Sequence, residues 1–241
     1  MVNTIKMYWL KSSNINVTHG FSTRNGGVSP RPFNSLNLGG IDDLPKNIAE
    51  NRLRALADLG IEMNQVSYLN QIHSNIVCQG IIGKQTGDAL VTNKKNLAIA
   101  VGAADCYPIL FSDEKNGVIG AAHCGWKGTL ARIVNNTIHE MVLLGAETEH
   151  IKIAIGQGIS QQNYEVSEDV ISQFKDHHFP DFCWNGRHLN LLEANRFVAI
   201  ESGIKPENIW EMNRCTTEPD FFSYRRDKGK TGRMWAVIML K

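Results

Sequence analysis

Long hydrophobic runs are missing from this chain. No stretch of its 241 residues approaches the roughly 20 consecutive apolar residues of a membrane span. The opening MVNTIKMYWLKSSNINVTHG holds neither an apolar run of leader length nor a small-residue cleavage site. No membrane partner is expected, and the cytoplasm is the expected compartment. Paired cysteines are missing too. Cys78, Cys106, Cys124, Cys183 and Cys215 are odd in number and form no C-x-x-C, which argues against a disulfide framework and for free thiols. Neither sign of charge is in excess: 25 Lys and Arg stand against 24 Asp and Glu. Such a chain has no global field to draw in nucleic acid, and an anionic substrate would need local cations. Repeats, low-complexity tracts and Pro/Ser-rich linkers are also absent, and the length of residues 1–241 fits one large domain or two small ones without choosing between them. What is present, 42% apolar and 20% charged residues, is the composition of a globular protein with enough length to bury a core unaided.

Apolar spacing predicts four helices. One covers about Thr129–Leu144, with Leu130, Ile133, Val134, Thr137, Ile138, Met141 and Val142 on one face and Gly145 as its stop. A second covers Lys46–Leu59, with Ile48, Ala49, Leu53, Leu56 and Ala57 inward. A third, Ser167–Phe174, has Ser167 as N-cap and Glu168 and Asp169 in its first turn. A fourth spans Leu191–Ser202 and stops at Gly203. Short apolar strands are expected at Val66–Leu69, Ile76–Gln79, Ala89–Val91, Leu97–Val101, Ile109–Phe111, Val118–Ala122, Ile151–Ile155 and Trp235–Leu240. Several of these follow one another without a helix between them. The expected class is therefore α+β (mixed α/β), with mixed or antiparallel sheets flanked by helices, and not a doubly wound parallel sheet.

Three polar loops at strand ends carry chemistry-bearing side chains: His73 in Gln71-Ile72-His73-Ser74, Cys106 after Ala103-Ala104-Asp105, and His123 in Ala122-His123-Cys124-Gly125-Trp126. Two imidazoles and a thiolate suit a catalytic zinc with an open fourth position, or copper. The spacings, 33 and 17 residues, are not a short-range zinc pattern. Residue types alone favour the plainer reading of a buried cysteine and two satisfied histidines. They also allow Cys106 as a nucleophile with His73 or His123 as its base.

Two further loops hold cations. Ser22-Thr23-Arg24-Asn25-Gly26-Gly27-Val28-Ser29 offers backbone donors and one guanidinium fork suited to phosphate, although Asn-Gly-Gly is also ordinary turn chemistry. Phe221-Phe222-Ser223-Tyr224-Arg225-Arg226-Asp227, leading to Thr231-Gly232-Arg233, interleaves aromatics with arginines that could stack a base and bind phosphate. Asp227 and the near-neutral total count against nucleic acid.

In order along the chain, these loops resemble one family. The matching segments are His19-Gly20-Phe21-Ser22-Thr23-Arg24 with Gly26-Gly27-Val28-Ser29, Ser35-Leu36-Asn37-Leu38-Gly39, Gln71-Ile72-His73-Ser74, Asp88-Ala89-Leu90-Val91-Thr92 and Ala104-Asp105-Cys106-Tyr107-Pro108-Ile109-Leu110. They continue through Ala121-Ala122-His123-Cys124-Gly125-Trp126-Lys127-Gly128-Thr129, Tyr164-Glu165-Val166 and the C-terminal aromatic and arginine loop. The chain resembles the multicopper polyphenol oxidase (laccase-like) family, also described as purine nucleoside phosphorylases and as peptidoglycan editing factors.

The resemblance implies a single domain of mixed sheets flanked by helices, with a fold like the cysteine hydrolase fold of a bacterial toxin deamidase. It implies zinc on His73, Cys106 and His123, with copper as the alternative. It implies phosphorolysis of adenosine, inosine and methylthioadenosine to free base and ribose 1-phosphate. Adenosine deamination and copper-dependent phenol oxidation are attached to the same family. Cys106, His73, His123 and Asp105 are then the catalytic candidates, with Asp105 or Glu165 moving protons. Arg24, Asn37 and Arg225 are the candidates for binding nucleoside and phosphate, Arg24 for the phosphate itself. The competing reading is a cysteine amidase that edits peptidoglycan precursors through Cys106. Three positions depart from the family pattern: Cys124 stands where a small Ala is usual, Lys127 where Arg is common, and Gly156-Gln157-Gly158-Ile159 where a Gly-Pro loop is usual.

Overall fold

A computed structural model of the chain describes residues 8–40 and 42–241. The first seven residues of the segment read above as lacking a leader lie outside the described residues. No helix among the described residues is long and apolar enough to cross a membrane.

Two mixed six-stranded sheets lie face to face. The first runs β1 (Trp9–Leu10), β2 (Thr18–Ser22), β14 (Met234–Met239), β7 (Ala98–Ala103), β3 (Val66–Asn70) and β5 (Gly83–Thr86). The second runs β13 (Ile209–Glu211), β10 (Lys152–Ile155), β8 (Tyr107–Asp113), β9 (Val118–Cys124), β6 (Ala89–Thr92) and β4 (Val77–Gln79). A short ribbon of β11 (Trp184–Asn185) and β12 (His188–Leu189) stands apart. Strand alternation sorts the side chains into layers. Ile99, Val101, Ala236 and Ile238 of the first sheet meet Leu90, Leu110, Ile119 and Ala121 of the second. Ala98, Ala100, Trp235 and Val237 point the other way, onto Ala55 and Leu56 of α1 (Pro45–Asp58). The far face of the second sheet packs on α3 (Ile133–Leu143), α4 (Glu168–Asp176) and α5 (Leu191–Glu201). The sandwich is thus helix, sheet, sheet, helices, the mixed arrangement expected from the succession of strands between residues 66 and 122.

The helix expected over Thr129–Leu144 is two helices, α2 (Trp126–Leu130) and α3. Arg132 breaks them at φ 61°. Its guanidinium lies over the rings of Phe179 and Phe197, 4.3 and 5.5 Å from their centroids, and pairs with Glu201. Val142, expected inward, is exposed. On α1 the inward face is also turned from the one expected. Leu53 is 64% exposed while Asn51 is fully buried. Asn51 donates to Ser29 Oγ (2.8 Å), the Ser35 carbonyl (3.2 Å) and the Asn37 carbonyl (2.9 Å), and accepts from Val28 N–H (2.8 Å). A buried amide with four partners outweighs one exposed leucine, and it swings the next residue, Arg52, toward the first sheet.

Candidate active site

β5 and β7 both run parallel to β3, so all three strands end at the same edge of the sandwich. From that edge the chain crosses to the second sheet three times: β3 to β4, β5 to β6 and β7 to β8. Each crossing delivers one side chain. His73 comes from the first, Asp88 from the second and Cys106 from the third. The second sheet supplies the fourth. On β9, Ile119 and Ala121 face the other sheet while Val118, Ala122 and Cys124 pack in the helix-side core, so alternation sends His123 toward the crossings and Cys124 away from them. Cys124 is fully buried. Burial pushes its thiol well up, and it packs as a small apolar residue.

The ligand atoms of His73, Cys106 and His123 lie within 4.8 Å of one another. The two imidazole rings meet edge to face, 4.9 Å between centroids. Asp88 organises them. Its Oδ1 accepts from His123 Nδ1 (2.9 Å) and His73 N–H (3.1 Å). Its Oδ2 accepts from Ser74 N–H (2.6 Å), Ser74 Oγ (2.7 Å) and Ile72 N–H (3.2 Å). One buried carboxylate therefore fixes the proton of His123 on Nδ1, leaves Nε2 for a ligand, and holds the His73 loop. Gln71 clips that loop to β7, donating to the Gly102 carbonyl and accepting from its N–H, both at 2.7 Å. His73 and Asp105 carry φ of 58° and 94°, a backbone region costly for side-chain-bearing residues and found at functional sites. Gly125 lies so close that a Cβ there would stand 3.0 Å from both Cys106 Sγ and His73 Cδ2.

The charges are coupled. Burial opposes ionisation of Cys106, but the His123 charge and hydrogen bond, helped by His73, outweigh it and hold the thiol at about 6. Burial likewise opposes charge on His123, which the Cys106 thiolate and Asp88 raise to about 9. Asp88 is disfavoured by burial yet held at about 2 by the bonds from His123 and Ser74. The donor set fits a metal: a stabilised thiolate and two imidazoles converge, one imidazole has a carboxylate behind it, and one wall is glycine.

These residues form one end of a cavity of about 770 Å³, within the range that holds a small-molecule ligand. Tyr68, Trp126, Tyr164, Tyr224 and Trp235 give it aromatic walls, and Arg52, Lys84, Arg225 and Arg233 give it four cations. Asp105 is the one carboxylate in the lining among the described residues. Its oxygens accept from Thr216 Oγ1 and Arg225 N–H, both at 2.6 Å. Arg225 extends over Tyr164, 5.3 Å from its centroid, and donates to the Asn163 and Glu165 carbonyls (3.3 and 2.9 Å). Burial, with the Cys106 thiolate nearby, pushes the Tyr164 phenol up, so it keeps its proton.

Other residues singled out from the sequence lie elsewhere. Arg24 is not in the cavity wall. Its Nε donates to the Asn34 carbonyl at 2.7 Å and its guanidinium lies 4.6 Å over Phe222, so it ties two loops together. Asn37 is buried, donates to Asp43 (2.9 Å) and accepts from Gly39 N–H (3.2 Å) and Arg233 N–H (2.8 Å), which positions wall residues from behind. Glu165 is exposed and pairs with Arg187. The departing loop 156–159 supports Cys106 from outside: Ile159 N–H donates to the Asp105 carbonyl (2.8 Å), and Gly158 is needed because a Cβ would press on the Tyr107 ring at 2.5 Å. Sequence reasoning missed Asp88, Arg52, Tyr68 and Lys84. Asp88 alone carried a signal, as a lone acid before the apolar run Ala89-Leu90-Val91.

A family model described as multi-copper polyphenol oxidoreductase laccase matches residues 18–241. A purine nucleoside phosphorylase of Deinococcus radiodurans is 48% identical over 235 residues, 96% of this chain and 92% of its own. The adenosine deaminase RL5 of an unknown prokaryotic organism is 30% identical over 264 residues, with 100% of both chains covered. The crystal structure of Bacillus licheniformis YfiH superposes with a TM-score of 0.89 at 31% identity over 93% of both chains. That of YlmD from Geobacillus stearothermophilus gives 0.90 at 28% identity, over 97% of this chain and 99% of its own. Matched in sequence from β2 to the C-terminus and in fold across nearly its whole length, this chain belongs to the multi-copper polyphenol oxidoreductase laccase family.

Proposed function

We propose that the chain is a purine nucleoside phosphorylase with adenosine deaminase activity, working through zinc held by His73, Cys106 and His123. The observation that carries this reading is the convergence of those three donors at one end of a cavity walled by aromatics and cations. The names of the Deinococcus and RL5 relatives support the same chemistry and favour it over an amidase that edits peptidoglycan. Adenosine, inosine and methylthioadenosine are the proposed nucleosides. Copper is the alternative occupant, with phenol oxidation as a side activity. Among the described residues the other group of three potential ligands is Glu147, Glu149 and His150, which is not the further histidine cluster that a multicopper site for dioxygen requires.

In phosphorolysis a phosphate oxygen bonds to C1′ of the ribose and the C1′–N9 bond breaks. Its electron pair goes to the purine, which takes up a proton. Bound zinc would supply Lewis acidity at the inner end of the cavity. The protein's own groups do the rest. The aromatic walls stack the purine. Tyr164 keeps a proton at the wall. Asp105, oriented by Thr216 and Arg225, is the proposed carboxylate for moving protons, and Glu165, turned to Arg187, is not.

Purified protein supplied with zinc should release adenine from adenosine only when phosphate is present, and inosine without it, and Cys106→Ala should do neither. Absence of both products from wild-type protein would overturn the assignment.

A further inference from the structure

The cavity that holds His73 and Cys106 also carries Arg52, Lys84 and Arg233 in its lining. Arg52 rises from α1, and its guanidinium sits over the rings of Trp235 and Tyr68, 4.5 and 4.9 Å from their centroids. Its Nε donates to the Leu38 carbonyl at 2.8 Å. Burial lowers the Arg52 pKa and the Tyr68 hydroxyl partly offsets it, so this cation is held where its charge is poorly solvated. Arg233 approaches from the other side of the same backbone. Its carbonyl accepts from Leu38 N–H (2.9 Å), and its NH1 donates to the Thr231 and Gly232 carbonyls, each at 3.0 Å. The Leu38-Gly39 backbone thus runs between the two arginines. Gly39 lies against this wall: the site of its Cβ is 3.6 Å from Arg233 Cβ and 3.9 Å from Trp235 Nε1. Lys84 adds a third charge. It stands in register with Tyr68 on the neighbouring strand, and paired positions share a face of a sheet.

Among the described residues no carboxylate forms an ion pair with Arg52, Lys84 or Arg233. Cations that line one cavity favour an anionic ligand there. Backbone carbonyls fix each arginine by one part of its fork, Nε in Arg52 and NH1 in Arg233. Planar forks fixed in this way suit the oxygens of a tetrahedral dianion.

We infer that the Arg52–Arg233–Lys84 wall is a phosphate-binding pocket that takes free orthophosphate as co-substrate. The inference rests on the nucleoside reading above and moves the phosphate from Arg24, which lies outside the cavity, to α1, β5 and the segment before β14. It makes the cavity two-ended, with the phosphate entering from the α1 side and the purine lying against the aromatic walls toward His73, Cys106 and His123.

The test uses the full-length, zinc-supplied protein with Arg52→Gln, Arg52→Lys and Arg233→Gln, and with Arg54→Gln as control. Arg54 sits on the same helix and pairs with Glu50 outside the cavity. Binding of radiolabelled orthophosphate is followed by equilibrium dialysis. Adenine release gives the phosphate KM and kcat, and adenosine deamination without phosphate reports on the opposite end. Each Gln variant should weaken orthophosphate binding and raise the phosphate KM by about tenfold or more, the worth of one or more charge-assisted hydrogen bonds. Arg52→Lys, which keeps charge but loses the fork, should fall between wild type and Arg52→Gln. Arg54→Gln should stay within about twofold of wild type, the range of ordinary surface substitutions, and deamination by the Gln variants should fall by much less than their phosphate KM rises. Unchanged dialysis and KM in both Gln variants would overturn the pocket. If AMP, dialysed in parallel, loses binding in the Gln variants while orthophosphate binding stays intact, free phosphate as the ligand would be overturned. Orthophosphate bound through these arginines by a protein that never releases adenine would sink the phosphorylase reading and leave the pocket standing.

Discussion

Replacing Asp88 by Asn is the sharpest perturbation available, because one atom pair changes and five hydrogen bonds depend on it. The carboxylate is fully buried. Oδ1 faces the His73 N–H and His123 Nδ1, and Oδ2 faces two backbone N–H groups and the Ser74 hydroxyl. Whichever way an asparagine amide sits, its NH2 confronts at least one backbone donor, the His73 N–H on one side or the Ile72 and Ser74 N–H groups on the other. A buried donor left without an acceptor costs about 1–3 kcal/mol, so Asp88→Asn should lose about 3 kcal/mol of stability. The titration points to a similar scale. Holding the acid at about 2 instead of 3.8 corresponds to about 2 kcal/mol. The sign is that of a depressed carboxyl: the contribution is present above about pH 4 and is lost as the pH falls through about 2. Freed from Asp88, His123 no longer has its proton fixed on Nδ1, and zinc affinity should fall by about 10–100-fold. Urea unfolding of metal-free protein at pH 7 reads the first effect, and competition with a chromophoric chelator reads the second. A loss under about 1 kcal/mol together with unchanged zinc affinity would refute the role given to Asp88.

Gly125→Ala should leave the fold intact and cut zinc affinity and turnover by about tenfold or more, since its Cβ would press at 3.0 Å on Cys106 and His73 and misplacements of this size are costly in a site. Equal activity in wild type and variant would mean that the three ligands tolerate displacement. In metal-free protein, alkylation of Cys106 should follow a midpoint near pH 6, with buried Cys124 and Cys183 unreactive; mass spectrometry that places the midpoint near 9 would remove the thiolate–imidazolium pair. The depressed thiol loses its stabilising share as pH falls through about 6, and the raised imidazole loses its share as pH rises through about 9, so the pair stabilises metal-free protein within that window. Cys124→Ala should cost about 1 kcal/mol of stability, as removing one small group from a core does, with zinc binding and kinetics unchanged; altered kinetics would show that its side chain reaches the site.

The layers were legible because period-2 and period-3.6 patterns are written locally. β6, β8 and β9 are nearly continuous apolar runs, and buried Ile133, Val134, Ile138 and Met141 recur at helical spacing. The break at Arg132 was not legible, since rings of Phe179 and Phe197, distant in sequence, support it. Nor was the rotation of α1. Asn51 gathers its four bonds from residues 28–37, and only the folded chain brings those groups around it. In the site, His73, Cys106 and His123 could be picked out as types, and the resemblance grouped them. Their convergence depends on three parallel strands ending together, which no spacing records. Arg24 drew attention for its fork and its glycines, but a guanidinium can satisfy itself on carbonyls. Arg52, inside an expected helix, and Lys84, between two expected strands, carry no local signal, and packing alone places them in the cavity lining.

The central claim is that one metal on His73, Cys106 and His123 supports nucleoside turnover. A single titration tests it: metal-free protein receives zinc stepwise while adenosine products are followed by chromatography, with and without phosphate. The account predicts that both products rise together and level off at one zinc per chain. Product formation that is already full in metal-free protein, or that ignores added zinc, would contradict it.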